Sequence, residues 1–442
     1  MDVLLNLLRG LFGMAVLLLV IYLLSENRRA ISWRTVGMAI VLQFTFAALV
    51  LYFSPTRAAI EWVGARFIDL LAFTNAGVSL LFGSLADKSR HGVVFAVMIL
   101  PSIIFFSALS SLLYYLGILQ RVVYSFAWVM SKTLRLSGAE TLSASANIFL
   151  GQTEAPFLVK PYLAGMTRSE LLTIMVGGMA TIAGAVMMAY IAFLGGDDPK
   201  QQMMFATHLI TASVINAPAG LMIAKMLVPQ TQPVDQKLAI SKEKLGCNAV
   251  DAVCLGTTEG LKLAANVGAM LIAFTALVTM VNAVLGWLGT PGTLLLGETR
   301  FSYPGLNAWV SSVTGGTFPG LSLEFLFGVL YAPVAWLIGI DHGHLLQSGA
   351  LLGTRTVLNE FIAFQQLGTL KASGAFSDPR AAIILTYAMC GFANIVSIGI
   401  QIGGIGALAP EQRTNLAQLG IRAMIGGTVA CYLSACVASI LI

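Results

Sequence analysis

The chain has 442 residues, with 25 Lys or Arg, 20 Asp or Glu, and 57% apolar residues. Charged residues make up 10% of it, against roughly 25% in an ordinary soluble domain. So few charges cannot cover a water-soluble fold of this size, which excludes a soluble enzyme, a nucleic-acid binder and a disordered scaffold and leaves an integral membrane protein.

Charge-free intervals locate the spans. In chain order they are 10–25, 35–56, 91–120, 171–196, 201–224, 263–297, 381–410 and 423–442. Each reaches or nearly reaches the roughly 17–25 residues needed to cross the hydrocarbon. No small-residue cleavage site precedes Glu26, so 10–25 reads as a retained first span. Residues 55–90 interleave Arg57, Glu61, Arg66, Asp69, Lys88 and Arg90 with apolar positions, the pattern of an amphipathic helix lying along the interface. Residues 118–135 read as a second such helix. Two further segments, 137–163 with Glu140, Glu154, Pro156, Lys160 and Pro161, and 344–374 with Arg355, Glu360 and Lys371, are apolar but broken. They read as re-entrant hairpins, whose irregular backbone is tolerated at membrane depth only inside protein or beside a water-filled cavity.

Basic residues set the orientation. Arg28, Arg29 and Arg34 follow the first span, Arg121, Lys132 and Arg135 the third, and Lys225, Lys237, Lys242 and Lys244 the fifth. Placing these loops inside puts both termini outside, although Arg9, Arg57 and Arg66 count against it.

The order of elements occurs twice. Span 91–117, interfacial helix 118–135, hairpin 137–163 and spans 168–194 and 201–226 are followed by span 263–287, interfacial helix 321–339, hairpin 344–374 and spans 380–404 and 413–442. Each hairpin holds a glutamate in apolar company, Glu154 or Glu360. Each following span is interrupted midway, around Gly177–Gly184 and around Cys390–Ser397. Small residues at such places also serve helix packing. Paired interruptions in inverted halves point instead to a secondary transporter with its site near the midplane.

A carboxylate at membrane depth costs about 2.5–3.5 kcal/mol on insertion scales, so Glu154 and Glu360 are functional candidates by default. Gln152, Thr153, Asn359, Asn394 and Ser397 surround them with neutral hydrogen-bonding groups, a set suited to an uncharged polyhydroxylated or amide-bearing solute. Lys160 and Arg355 look closer to the hairpin bases than to the tips. Asn147, Leu150, Thr181 and Ile182 form a second cluster, where the first hairpin tip would meet the break in the next span. Unwound carbonyls and a hydroxyl suit a desolvated Na⁺, while the plainer use of Thr181 is a bond back to its own helix. The five cysteines imply neither a disulfide framework nor a metal site. No nucleophile motif is visible, so no enzyme is expected.

The run Asn147-Ile148-Phe149-Leu150-Gly151-Gln152-Thr153-Glu154-Ala155-Pro156 resembles the first-hairpin motif of the concentrative nucleoside transporters. Asn359-Glu360-Phe361 and the run Cys390-Gly391-Phe392-Ala393-Asn394-Ile395, continued by Ser397 and Ile398, resemble that family's other two signatures, and the likeness runs from about residue 8 to the C-terminus. The resemblance implies a homotrimer in the bilayer of a bacterial inner membrane, where the orientation set by the basic residues makes both termini periplasmic. Each protomer would be all-α, with eight transmembrane helices, two opposed re-entrant hairpins and interfacial helices. Residues 1–117 would supply scaffold helices, 118–226 the first transport-domain repeat, 227–320 a cytoplasmic loop, scaffold span and periplasmic linker, and 321–442 the second repeat. It further implies that Gln152, Thr153 and Glu154 bond the nucleobase, with Val186 and Leu263 packing on it. Glu360, Asn394 and Ser397 would hold the ribose, with Phe392 nearby. Carbonyls of Asn147, Leu150, Thr181 and Ile182, plus the Thr181 hydroxyl, would bind Na⁺. Relatives often carry Ser where this chain has Thr181, and the extra N-terminal spans of animal members are absent. The activity implied is Na⁺-driven, elevator-type nucleoside import. The alternatives are proton coupling through Glu360 or Glu154, or a non-concentrating channel or receptor of the same architecture.

Overall fold

The computed structural model describes residues 2–91, 94–236, 238, 246–296, 299–303, 305–376 and 378–442. Lys237, Lys242 and Lys244, which entered the orientation argument, lie outside the described residues.

The first third is helical throughout: α1 (Asp2–Leu24), α2 (Trp33–Tyr52), α3 (Ser54–Phe82), α4 (Lys88–His91), α5 (Phe95–Met98), α6 (Leu100–Tyr115) and α7 (Ile118–Leu134). Helix α7 is amphipathic. It buries Val123, Ala127, Met130 and Leu134, the i, i+4, i+7, i+11 stripe of one helical face.

The first hairpin follows as α8 (Gly138–Ala146), an irregular tip, and α9 (Lys160–Leu163). Ser137 starts α8 with a capping box, its side chain bonding the Glu140 N–H while Glu140 answers the Ser137 N–H. Glu140 is also ion-paired with Lys225, and Lys225 donates to Ser169 Oγ at 2.9 Å, so the hairpin base is tied to two later helices. Those helices are α10 (Arg168–Ala180), continued after a break by α11 (Gly184–Gly195), and α12 (Pro199–Leu227). All three are almost wholly buried and form the centre of the protein.

Helix α13 (Ala249–Leu288) is the outlier. Of its 40 residues only Ala252, Gly256, Gly260 and Ala264 are buried, a four-residue repeat of small side chains that lets its backbone approach α6 closely. The rest is exposed or only partly covered. This helix begins 14 residues before the expected span at 263, because Asn248 caps it by accepting the Asp251 N–H and the polar residues that suggested a loop form its first turns. Beyond it, β1 (Gly292–Leu296) and β2 (Thr299–Tyr303) pair antiparallel, Gly292 opposite Tyr303. Among the described residues the chain is all-helical as expected, this one short ribbon apart.

The chain continues with α14 (Leu306–Val313), α15 (Leu323–Leu337), α16 (Leu345–Val357), α17 (Glu360–Ala372), α18 (Pro379–Met389), α19 (Ile395–Leu408) and α20 (Arg413–Leu441). The α16–α17 pair is the second hairpin. Among the described residues, eight helical stretches are long and apolar enough to cross a membrane. They include Ser54–Ala86, which the charge pattern assigned to the interface. They omit the expected span 381–410, because Cys390–Asn394 break it into α18 and α19, each too short alone.

Candidate substrate and ion site

The two helix breaks lie against each other. The Phe392 N–H donates to the Thr181 carbonyl at 3.3 Å. A Cβ on Gly391 would stand 2.6 Å from the Met179 carbonyl, so only glycine fits this crossing. From α12, fully buried Asn216 donates to the Ala180 and Cys390 carbonyls at 2.7 and 2.8 Å. One amide thereby satisfies the last carbonyls of two interrupted helices, groups that would otherwise be orphaned in a medium without water.

Beside this crossing a cavity of about 710 Å³ opens, within the roughly 300–1,000 Å³ of small-molecule sites. Its wall includes Gln152, Thr153 and Glu154 of the first hairpin, Val186 of α11, Leu263 of α13, Glu360 of the second hairpin, and Phe392, Asn394 and Ser397 of the second break. All nine residues singled out in the sequence for the solute therefore face one space, although they come from five separate segments.

Their polar groups are held in place before any solute arrives. Asn394 is the N-cap of α19: its Oδ1 accepts the Ser397 N–H at 2.9 Å while its Nδ2 donates to Glu360 Oε2 at 2.7 Å. Glu360 Oε1 accepts from the Tyr190 hydroxyl at 3.1 Å. Gln152 Nε2 donates to Ser397 Oγ at 3.1 Å, joining the first hairpin to the second break. Glu154, in the cavity wall, folds back to accept the Gly151 N–H at 3.0 Å through one carboxylate oxygen. Glu360 opens α17, capped by Asn359, so its carboxylate sits at a helix N-terminus, where the dipole favours negative charge.

The opposite wall was not foreseen. It carries Ser107, Ser110 and Ser111 of α6 and the Glu259–Lys262 pair of α13, joined at 2.7 Å. Tyr190 was also missed, its signal being a lone hydroxyl within an otherwise apolar run. Arg355 is a correction. It lies in the last turn of α16, at the tip end of the second hairpin and not at its base, with no exposed surface.

The four expected ion ligands gather where α8 ends and α10 breaks. Asn147, Leu150, Thr181 and Ile182 are all buried. Gly177, one turn before Thr181, leaves room for the Asn147 amide, and the Gly184 N–H bonds the Phe149 carbonyl at 3.1 Å across the same junction. The Thr181 hydroxyl donates to the Gly177 carbonyl at 2.9 Å, the plainer use of that residue. Its oxygen lone pairs stay available, since that bond engages only the proton. Among the described residues neither side-chain polar atom of Asn147 has a hydrogen-bond partner, an omission that costs roughly 1–3 kcal/mol for a buried amide. Neutral oxygens around an unsatisfied amide fit a small hard cation.

These features define a polytopic helical carrier with one polar cavity between two broken helices. The chain belongs to the Na⁺-dependent nucleoside transporters. The family's N-terminal model, "Na+ dependent nucleoside transporter N-terminus", matches residues 12–85, its C-terminal counterpart matches 208–439, and a "Nucleoside recognition" model matches 96–197. An uncharacterized transporter of Haemophilus influenzae is 40% identical over 442 residues, covering 99% of this chain and 98% of its own. Sodium/nucleoside cotransporter 1 of Mus musculus is 37% identical over 447 residues, covering 97% of this chain and 63% of the longer relative. The structure of CNTnw in an inward-facing substrate-bound state matches with a TM-score of 0.84 at 35% identity, covering 98% of each chain. The protein is accordingly a multi-pass membrane transporter and not an enzyme.

Proposed function

We propose that this protein is a Na⁺-driven symporter that imports nucleosides across a bacterial cytoplasmic membrane. The observation that carries the reading is the single cavity that collects acceptors and donors from both hairpins and the second break. Gln152, Thr153 and Glu154 bond the nucleobase, and Val186 and Leu263 pack on it. Glu360, Asn394 and Ser397 hold the ribose hydroxyls beside Phe392. An ionised carboxylate is an acceptor only and suits hydroxyl donors, and Gln152 can match either edge of an amide-like base.

Na⁺ sits on the carbonyls of Asn147, Leu150, Thr181 and Ile182 and on the Thr181 hydroxyl. Binding there engages the Asn147 main-chain carbonyl and fixes the end of α8, from which the tip carrying Gln152, Thr153 and Glu154 continues. Ion binding thus raises the population of the solute-competent tip, which is the coupling. The hairpins with α10–α12 and α18–α20 move as a transport domain (118–226 and 321–442) against the remaining scaffold, in a homotrimer with periplasmic termini. Helix α3 lies along the interface, its exposed pairs Arg57–Glu61 and Arg66–Asp69 in water, which leaves eight crossings.

The test is equilibrium binding of uridine and adenosine to the purified protein in Na⁺ and in choline. Affinity should be roughly 5- to 150-fold higher in Na⁺, the usual range of a coupling free energy. Thr181→Val should raise the Na⁺ concentration needed for that gain. Equal affinity in both salts contradicts the ion assignment, and absence of binding to either nucleoside contradicts the solute assignment.

A further inference from the structure

The two repeats close their hairpins differently. In the first, α8 ends at Asn147 against the end of α10 at Thr181, and neither last turn holds a basic residue. Two helix C-termini therefore meet, each carrying a dipole end equivalent to about half a negative charge. In the second, α16 ends beside the end of α18, again two C-termini, but the last turn of α16 holds Arg355.

Arg355 is fully buried. Its Nη2 donates to the Gly391 carbonyl and to Cys431 Sγ, both at 3.3 Å, and its Nη1 to Thr428 Oγ1 at 3.3 Å. The Cys431 thiol in turn faces the Ala180 and Cys390 carbonyls at 3.4 Å each. Among the described residues no carboxylate lies within ion-pair distance of Arg355. A buried cation outside ion-pair distance of any carboxylate is strongly unfavourable unless hydrogen-bond acceptors and helix dipoles carry negative potential toward it. What it meets here is the Gly391 carbonyl just past the end of α18, with the Thr428 hydroxyl and the Cys431 sulfur beside it.

We propose that Arg355 is a built-in cation, standing in the second repeat where Na⁺ stands in the first. This rests on the sodium site proposed above. The consequence is an asymmetric carrier. Arg355 is covalently tethered and always charged, so the junction of α16 with α18 stays closed through the cycle and keeps Glu360 and Asn394 at their posts. The junction of α8 with α10 has no such group and closes only when an ion arrives. Arg355 touches no part of the proposed solute site directly and is a positioning residue.

The full-length protein is reconstituted in liposomes as the unaltered chain, Arg355→Met and Arg355→Lys, and Na⁺-driven uridine uptake is measured with and without low millimolar guanidinium chloride. The neutral variant should lose roughly tenfold or more of its initial rate, the scale of a partly buried charge at a helix terminus. Arg355→Lys should keep most of the rate, and guanidinium should restore part of it to Arg355→Met alone. A purely structural arginine would give no such rescue. Wild-type uptake by Arg355→Met overturns the proposal, as does an Arg355→Lys variant no better than Arg355→Met, whether or not the latter folds. Failure of the underlying sodium reading is visible separately, as uptake by the unaltered protein that ignores Na⁺.

Discussion

Glu360 already accepts two hydrogen bonds, from Tyr190 and Asn394, with its carboxylate set at the start of α17. Glu360→Gln replaces one acceptor oxygen by a donor and removes the charge, so one of those two partners is left facing an N–H. Hydrogen bonds to charged groups contribute about 1.5–3 kcal/mol, so uridine affinity should fall roughly 10- to 150-fold. Tyr190→Phe should weaken it in the same direction by freeing one carboxylate oxygen from its anchor. Titration of both variants against uridine and against a base lacking ribose checks this: unchanged uridine affinity in Glu360→Gln would remove the ribose assignment. At this scale the sequence was informative wherever charge was misplaced. Glu154 and Glu360 stood out because carboxylates are costly at membrane depth. Tyr190 did not, since a tyrosine among apolar residues carries no such penalty and its partner lies 170 residues away. Arg355 was visible but misplaced, because residue spacing does not reveal how far the α16 helix runs toward the tip.

Helix breaks are legible where small and polar residues interrupt an apolar run, as at Thr181–Ala183 and Cys390–Asn394. What the run does not disclose is how the freed backbone groups are satisfied. Asn216 does this from the middle of α12, where it reads as one more polar residue in a span. Asn216→Leu should orphan the Ala180 and Cys390 carbonyls except for the weak Cys431 thiol, at about 1–3 kcal/mol for each unsatisfied group. A lower unfolding temperature in detergent, together with weaker uridine binding, is the expected outcome. A variant as stable as the unaltered protein would show that the crossing of the breaks is held by other contacts. Boundaries failed in the sequence for a related reason: the polar first turns of α13 looked like loop, although its Asn248 cap and the Gly256 and Gly260 contacts with α6 make them helix. The ribbon of β1 and β2 escaped altogether, since ten residues with glycine and threonine give too short a pattern to assign.

Over the whole molecule, charge placement explains both membrane residence and internal order. The Lys225–Glu140 pair fixes the first hairpin base. Glu26 is ion-paired with Arg168 and Arg422, and Arg9 with Asp341, so both ends of α1 are pinned to later parts of the chain. Between those points Gly10 brings α1 close to α20 and Gly13 brings it against the Leu337 carbonyl of α15. In the proposed elevator motion, a scaffold that includes α1 must therefore release these contacts, or α1 travels with the moving part. Either way, solute movement is tied to the ion gradient by the proposed α8–α10 junction. With one Na⁺ per nucleoside and no membrane potential, a tenfold Na⁺ gradient supplies about 1.4 kcal/mol, enough to concentrate the solute roughly tenfold. The most direct measurement is steady-state accumulation of labelled uridine in proteoliposomes under an imposed Na⁺ gradient, a pH gradient in Na⁺-free buffer, or neither. Accumulation above the outside concentration only under the inward Na⁺ gradient is the predicted result. Uphill accumulation driven by the pH gradient without Na⁺, or equilibration without accumulation under every condition, would contradict the account.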